Sequence, residues 1–184
     1  WYNGYNNQQT GVYDYTKGLS QTAQAQIGNA KWYLGGMEYI NADLITYTMY
    51  TLERGTMVYG GRPTEWTGKV ALIYPSDYGY ATAGGTTTNR STCIGTLSTY
   101  YNTSGQTWNN STYGDCYAND WISYQWALSP TSYHSYSALA VVNAGYVNST
   151  YTGYNSPVRP AVYLQSGVTI SGGNGSVTNP YIIE

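Results

Sequence analysis

The sequence predicts an α+β fold, with one or two helices early and short antiparallel strands late. Three observations predict it. Apolar residues recur at helical spacing before residue 55, whereas from Lys69 onward they fall in short runs separated by Gly, Asn, Pro and Ser. A length of 184 residues with no Pro/Ser-rich linker or charge run suits one well-buried domain. Residues 1–18 read as an extended lead-in and residues 19–184 as a single globular domain.

Taken in order, the lead-in from Trp1 to Gly18 is rich in Tyr, Asn, Gln and Gly and holds no period. From Ser20 to Leu34, the spacing of Ala23, Ile27, Ala30 and Leu34 predicts an amphipathic helix, capped by Ser20 and ended by Gly35-Gly36. A second helix is expected from Asn41 to Arg54, with Leu44, Ile45, Thr48 and Leu52 on one face. Its β-branched and aromatic residues leave a strand or mixed segment open. After Trp66-Thr67-Gly68 the chain becomes strand-like, and Lys69 to Tyr74 reads as a buried strand stopped by Pro75. The small, polar stretch from Gly84 to Gly114 has room for a short helix near Leu97. Short strands follow at Ala138 to Asn143, Gly145 to Asn148, Val158 to Leu164, Gly167 to Ser171 and Tyr181 to Ile183. Pro160 cannot donate to a ladder, so its strand belongs at an edge or a bulge. Gly172, Gly173 and Gly175 suit positive φ in a turn that Asn179-Pro180 ends.

Composition narrows the functional classes. The chain has 24 tyrosines and no phenylalanine, and a phenol serves a dry core and a wet contact surface alike. With abundant Ser, Thr, Asn and Gly, it has the make-up of aromatic-anchored binding loops. Only 9% of residues are charged, net −2, and the seven basic residues are scattered, which excludes nucleic acid as a partner. No apolar stretch reaches membrane-spanning length and no signal peptide is present. The start at Trp1 reads as a mature or truncated ectodomain. Cys93 and Cys116 stand outside any CxxC or Cys/His cluster, so no metal site is predicted. One disulfide is the simplest pairing, contributing about 3 kcal/mol by restricting the unfolded chain, with two buried thiols as the alternative. A disulfide fits an oxidising, extracellular setting. The N-x-S/T sequons at Asn89, Asn102, Asn109, Asn110, Asn148 and Asn174 agree with exposed loops and are candidate glycosylation sites.

The segments WTGKVALIYPSDYGYAT (Trp66 to Thr82), CYANDWI (Cys116 to Ile122), YQWALSP (Tyr124 to Pro130), AVVNAGYV (Ala140 to Val147), VRPAVYL (Val158 to Leu164) and ISGGNGSVTNPY (Ile170 to Tyr181) occur in this order. Together they resemble the globular C-terminal head of type IV prepilin-like surface proteins of Gram-positive bacteria, over roughly Ala30 to the C-terminus. The W-x-L-x-P, G-x-V and V-R-P part resembles, more loosely, bacterial domains with a C-type-lectin-like fold. The family's N-terminal pilin helix and processing site have no counterpart in this sequence. The resemblance implies an extracellular structural subunit, a C-type-lectin-like head displayed on the cell surface and self-assembling into a filament. The alternative is an adhesin, a lectin-like module contacting glycans or host proteins through the loops Asn102 to Tyr117 and Ser132 to Tyr154.

Among the matched residues, Trp66, Trp121 and Trp126 are expected in the core, and Arg159 is expected to reach a buried or half-buried acceptor such as Asp77 or Asp120. Asp77 either caps a loop or accepts from sugar hydroxyls. Asn119-Asp120 resembles the ligands of calcium-dependent lectins without their fuller set, so no cation site is predicted. Tyr74, Tyr78, Tyr80, Tyr163 and Tyr181 fall in the motifs and are expected to build the head. Tyr2, Tyr5, Tyr13, Tyr15, Tyr113, Tyr133, Tyr136, Tyr151 and Tyr154 fall in the lead-in and loops and are the candidate contact surface. No catalytic residue is predicted. His134, the only histidine, lies in a polar run without a nucleophile motif and reads as a surface residue. Glu38, Glu53, Glu65 and Asp77 are the carboxylates a hydrolase would draw on, and nothing in the sequence aligns them. No cofactor is implied.

Overall fold

Ser20 starts the first helix as its residue type dictates, its hydroxyl accepting the Ala23 N–H at 3.1 Å. In the computed structural model, which describes residues 15–16, 18–38, 44–95, 116, 124–142 and 147–184, that helix is short. It is α1 (Gln21–Gln26), with no buried residue, and it stops well before Leu34. Ile27 is extended and bridges Leu164, and the Gly28 N–H donates to Tyr163 O at 2.9 Å. Residues expected to continue the helix instead form β1 (Ala30–Tyr33), antiparallel to β2 (Glu65–Gly68) with Trp32 opposite Trp66. Trp32 is buried and its indole N–H donates to Gly68 O at 2.9 Å. A non-local ladder has overridden the local helical spacing.

The second helix forms as α2 (Thr46–Glu53), but its buried face runs through Thr46, Met49 and Glu53. Leu44 is buried ahead of the helix, and Ile45 is half-buried as its N-cap. Thr48 and Leu52 are only half-buried on its flank. The face is rotated because α2 packs on a helix absent from the sequence expectation, α3 (Pro75–Tyr80). A Cβ on Gly79 of α3 would lie 2.5 Å from Thr46 Oγ1, so glycine permits the close approach. Pro75 does stop the preceding strand, β3 (Val70–Leu72), yet it also opens α3 from the first turn, where a missing N–H is harmless. Asp77 then accepts the Tyr74 N–H at 3.2 Å.

Strand β3 buries Ala71 and Leu72 as expected and pairs antiparallel with β7 (Pro160–Val162), Leu72 opposite Pro160. Among the described residues β7 pairs with β3 alone, so Pro160 sits on an edge strand. A three-stranded antiparallel sheet follows in the order β4 (Gln125–Pro130), β5 (Ser137–Val141), β6 (Val147–Tyr151). Every residue of β5 is buried, as befits the central strand. The Leu128 N–H donates to Ile73 O at 2.9 Å, tying β4 to the end of β3.

The polar stretch holds α4 (Arg90–Ile94), earlier than the expected position near Leu97, because Asn89 caps it by accepting the Thr92 N–H at 3.0 Å. Leu97 itself lies outside the described residues. Cys93 and Cys116 form the disulfide, with Cα atoms 5.7 Å apart. Both join a core cluster with Met37, Leu44, Met49, Tyr78, Leu139, Val141 and Val147. The second cluster gathers Trp32, Ala71, Leu72, Tyr74 and Leu128, with Trp66 and Trp126 packed half-buried against it. Trp121 lies outside the described residues.

The chain closes with a hairpin of β8 (Ile170–Gly172) and β9 (Ile182–Ile183). Gly173 and Gly175 hold φ of +80°, and a Cβ on Gly173 would meet Pro180 O at 2.0 Å. Gly172, expected to share that conformation, instead belongs to β8 with ordinary φ. The architecture is α+β, with short helices early, small antiparallel sheets later, and one disulfide.

Candidate functional site

Tyr136 stands in the turn between β4 and β5, and the fold fixes that turn from both sides. Thr131 Oγ1 donates to His134 O and to Ser137 O, each at 3.2 Å, while the Thr152 N–H and hydroxyl both reach Tyr136 O, at 2.9 and 3.0 Å. Strand pairing places Ser137 opposite Tyr151, and a turn closed by the Tyr154 N–H on Tyr151 O, at 3.0 Å, returns Tyr154 to the same corner.

The rings then form a ladder. His134 stacks on Tyr136 with centroids 4.7 Å apart, Tyr136 on Tyr151 at 4.5 Å, and Tyr154 meets Tyr151 edge-on at 6.3 Å. Tyr133 leans on His134 from the other end at 4.3 Å. Tyr136, Tyr151 and Tyr154 keep 40%, 54% and 66% of their surface exposed. A hydrogen bond with Tyr151 is the chief reason the Tyr136 phenol is held above its ordinary pKa. Beside the ladder, Gly61 (φ +80°) shapes a turn from Tyr59 to Arg62, and Arg62 Nη2 donates to Ser135 O.

Of the expected contact tyrosines, Tyr136, Tyr151 and Tyr154 converge on this surface. Tyr133 is half-buried at its inner end, and Tyr15 is half-buried. Tyr2, Tyr5, Tyr13 and Tyr113 lie outside the described residues, as does the expected loop Asn102 to Tyr117 apart from Cys116. His134 is half-buried within the ladder rather than a plain surface residue. Sequence reasoning missed Tyr59 and Arg62, whose only local signal is the Gly60-Gly61 turn.

Some motif residues stand where expected and others do not. Tyr74 and Tyr78 are buried, and the Tyr74 hydroxyl accepts the Tyr33 N–H at 2.6 Å; burial raises the pKa of both phenols. Tyr80, Tyr163 and Tyr181, by contrast, are exposed. Arg159 is exposed on the approach to β7, and Asp120, one of its two expected acceptors, lies outside the described residues. Trp32, which sequence reasoning passed over, is the fully buried tryptophan of the second core cluster. Among the sequons, Asn89 and Asn174 are exposed and already engaged, Asn89 as the α4 cap and Asn174 accepting the Ser176 N–H at 3.1 Å. Asn148 is half-buried in β6, and Asn102, Asn109 and Asn110 lie outside the described residues.

The carboxylates have structural duties. Glu53 is fully buried, accepting the Ser76 N–H at 2.8 Å and the Ser76 hydroxyl, with Arg54 Nη1 at 3.1 Å. Burial pushes its pKa up to about 7, against the lowering effect of the Ser76 bonds and Arg54. Glu53 and Asp77 thus both serve the first turn of α3, while Glu65 pairs with Lys31 on the surface at 2.7 Å and Glu38 is exposed. Among the described residues no group of three His, Cys, Asp or Glu side chains is placed to hold a metal ion. No helix among them is long and apolar enough to cross a membrane.

A second exposed surface is aliphatic. Ile170, Tyr181 and Ile182 of the terminal hairpin are more than half exposed, Val177 at its turn is fully so, and Val162 and Leu164 are exposed nearby in the chain. Compared with known proteins, the chain matches no family model, no curated protein and no solved structure.

Proposed function

We propose that this chain is the exposed, C-type-lectin-like head of an extracellular, pilin-like filament subunit, displayed on the cell surface, whose work is self-assembly. The observation supporting it is the uncovered terminal hairpin. An apolar two-stranded ribbon with Ile170, Val177, Tyr181 and Ile182 in solvent is a surface that stable monomers avoid. Few charges oppose stacking of such surfaces, since only 9% of the chain is charged. The buried disulfide agrees with an oxidising compartment. Electron microscopy and sedimentation of concentrated protein test this reading. Filaments or reversible oligomers are expected, and a strictly monomeric protein at millimolar concentration removes its basis.

The tyrosine ladder favours a second reading, an adhesive module that binds glycan or host protein. Rigid phenol rings present large contact area at low entropic cost, and their hydroxyls complete hydrogen bonds. The two readings are compatible, because the ladder and the hairpin draw on different residues. A glycan array probed with and without calcium tests it, and an array without hits counts against it.

A further inference from the structure

Arg62 carries a donor that nothing in the described structure uses. Its Nη2 donates to Ser135 O, between the ladder residues His134 and Tyr136, and its guanidinium lies 6.0 Å from the Tyr59 ring centroid. Nη1 is shut off from water and has no hydrogen-bond partner. The ion pairs among the described residues are Lys31 with Glu65 and Arg54 with Glu53, so no described carboxylate balances this charge. A buried charged donor without an acceptor is costly, and an arriving acceptor removes that cost.

We propose that Arg62, Tyr59, Tyr136, Tyr151 and Tyr154 form a binding site for an acidic saccharide, whose carboxylate is taken by Arg62 while its sugar rings lie against the tyrosines. The proposal rests on the adhesive reading and names its ligand class. The guanidinium fork matches a carboxylate in plane and spacing, which a point charge does not. Tyr154, the most exposed ring of the ladder, offers a flat apolar face to the C–H face of a pyranose, while Tyr136, stacked on His134 and Tyr151, offers its edge. Their phenol rims, with the Thr152 hydroxyl beside them, suit its hydroxyl groups. Tyr59, whose ring lies beside the guanidinium, is exposed, and because exposed rings change rotamer within nanoseconds its movement is the path by which a carboxylate reaches Nη1.

Calorimetric titration of the full chain tests the proposal, with trigalacturonic acid and 3′-sialyllactose as acidic probes and the galacturonate methyl ester and lactose as their neutral counterparts. At least one acidic probe is expected to bind about tenfold more tightly than its counterpart. That preference is expected to vanish in Arg62→Gln, while Tyr154→Ala weakens acidic and neutral probes alike. Equal binding of acidic and neutral probes to the wild type overturns the acidic site and leaves the adhesive reading standing. Binding of none of them, together with an empty glycan array, overturns both. Persistence of the acid preference in a folded Arg62→Gln protein also overturns the assignment. The comparison of acid with neutral counterpart uses the wild-type chain, so it holds even if the variant fails to fold.

Discussion

Two arginines of this protein stand among tyrosines, and their surroundings are opposite. Arg54 is spoken for on every side. Its Nη1 pairs with Glu53 and donates to Tyr50 O, and its guanidinium lies 3.6 Å from the Tyr50 ring centroid and 5.1 Å from that of Tyr74. Arg62 has one carbonyl, a more distant ring and an idle buried nitrogen. The same residue types therefore build a closed joint between α2 and α3 in one place and an open surface in the other. What separates them is whether a carboxylate has been buried alongside.

The largest effect should come from removing that carboxylate. Glu53→Ala strands Arg54 and the first turn of α3 together, and a loss of about 3 kcal/mol is expected in urea unfolding. A loss below about 1 kcal/mol means that the joint is not held by charge, and the contrast fails.

Next comes the pH dependence of the same group. Its folded pKa, about 7, lies above the ordinary carboxylate value, so between roughly pH 4.5 and 7 the folded protein holds a proton that the unfolded chain has released. This contribution to stability is fully present below that window and is lost as pH rises through it, by up to about 3 kcal/mol. Glu53→Gln, which is neutral throughout, should flatten the slope in chemical denaturation measured across those pH values.

Smaller again is Tyr74→Phe. It leaves the half-buried Tyr33 N–H without the hydroxyl it reaches at 2.6 Å, and about 1 kcal/mol should be lost from the thermal or urea stability. The smallest effects belong to the ladder. Tyr151→Ala and Tyr154→Ala should change stability by no more than about 0.5 kcal/mol, because those rings are exposed and lie outside both core clusters. If either costs as much as Tyr74→Phe, the ladder is a structural element and its role as a contact surface is lost.

How much of this was legible in the sequence depended on distance along the chain. Ser20 as a cap, a strand within Lys69 to Tyr74, another starting near Ala138 and Pro160 at an edge all follow from a few neighbouring residues. The second half of the expected first helix failed because Ala30 to Tyr33 find their ladder in residues 65–68, and no local period carries that pairing. The helix α3 failed for a different reason. Pro75 was read only as the end of a strand, although Pro followed two residues later by Asp is also how a helix opens. At the tyrosine ladder, the residues from 133 to 154 could be grouped because they are close in sequence. Arg62 could not be, since it meets Ser135 across 73 positions.

The Cys93–Cys116 bond has a mechanical consequence for any protein that carries load. The two residues are 23 positions apart in the chain, yet the bond holds their Cα atoms at 5.7 Å. A pull applied to the two ends of the chain passes through sulfur and bypasses the intervening segment. Full extension of the oxidised protein is therefore shorter than that of the reduced one by about 75 Å, at roughly 3.5 Å per residue. Stretched singly by force spectroscopy, the chain should gain that length only after reduction.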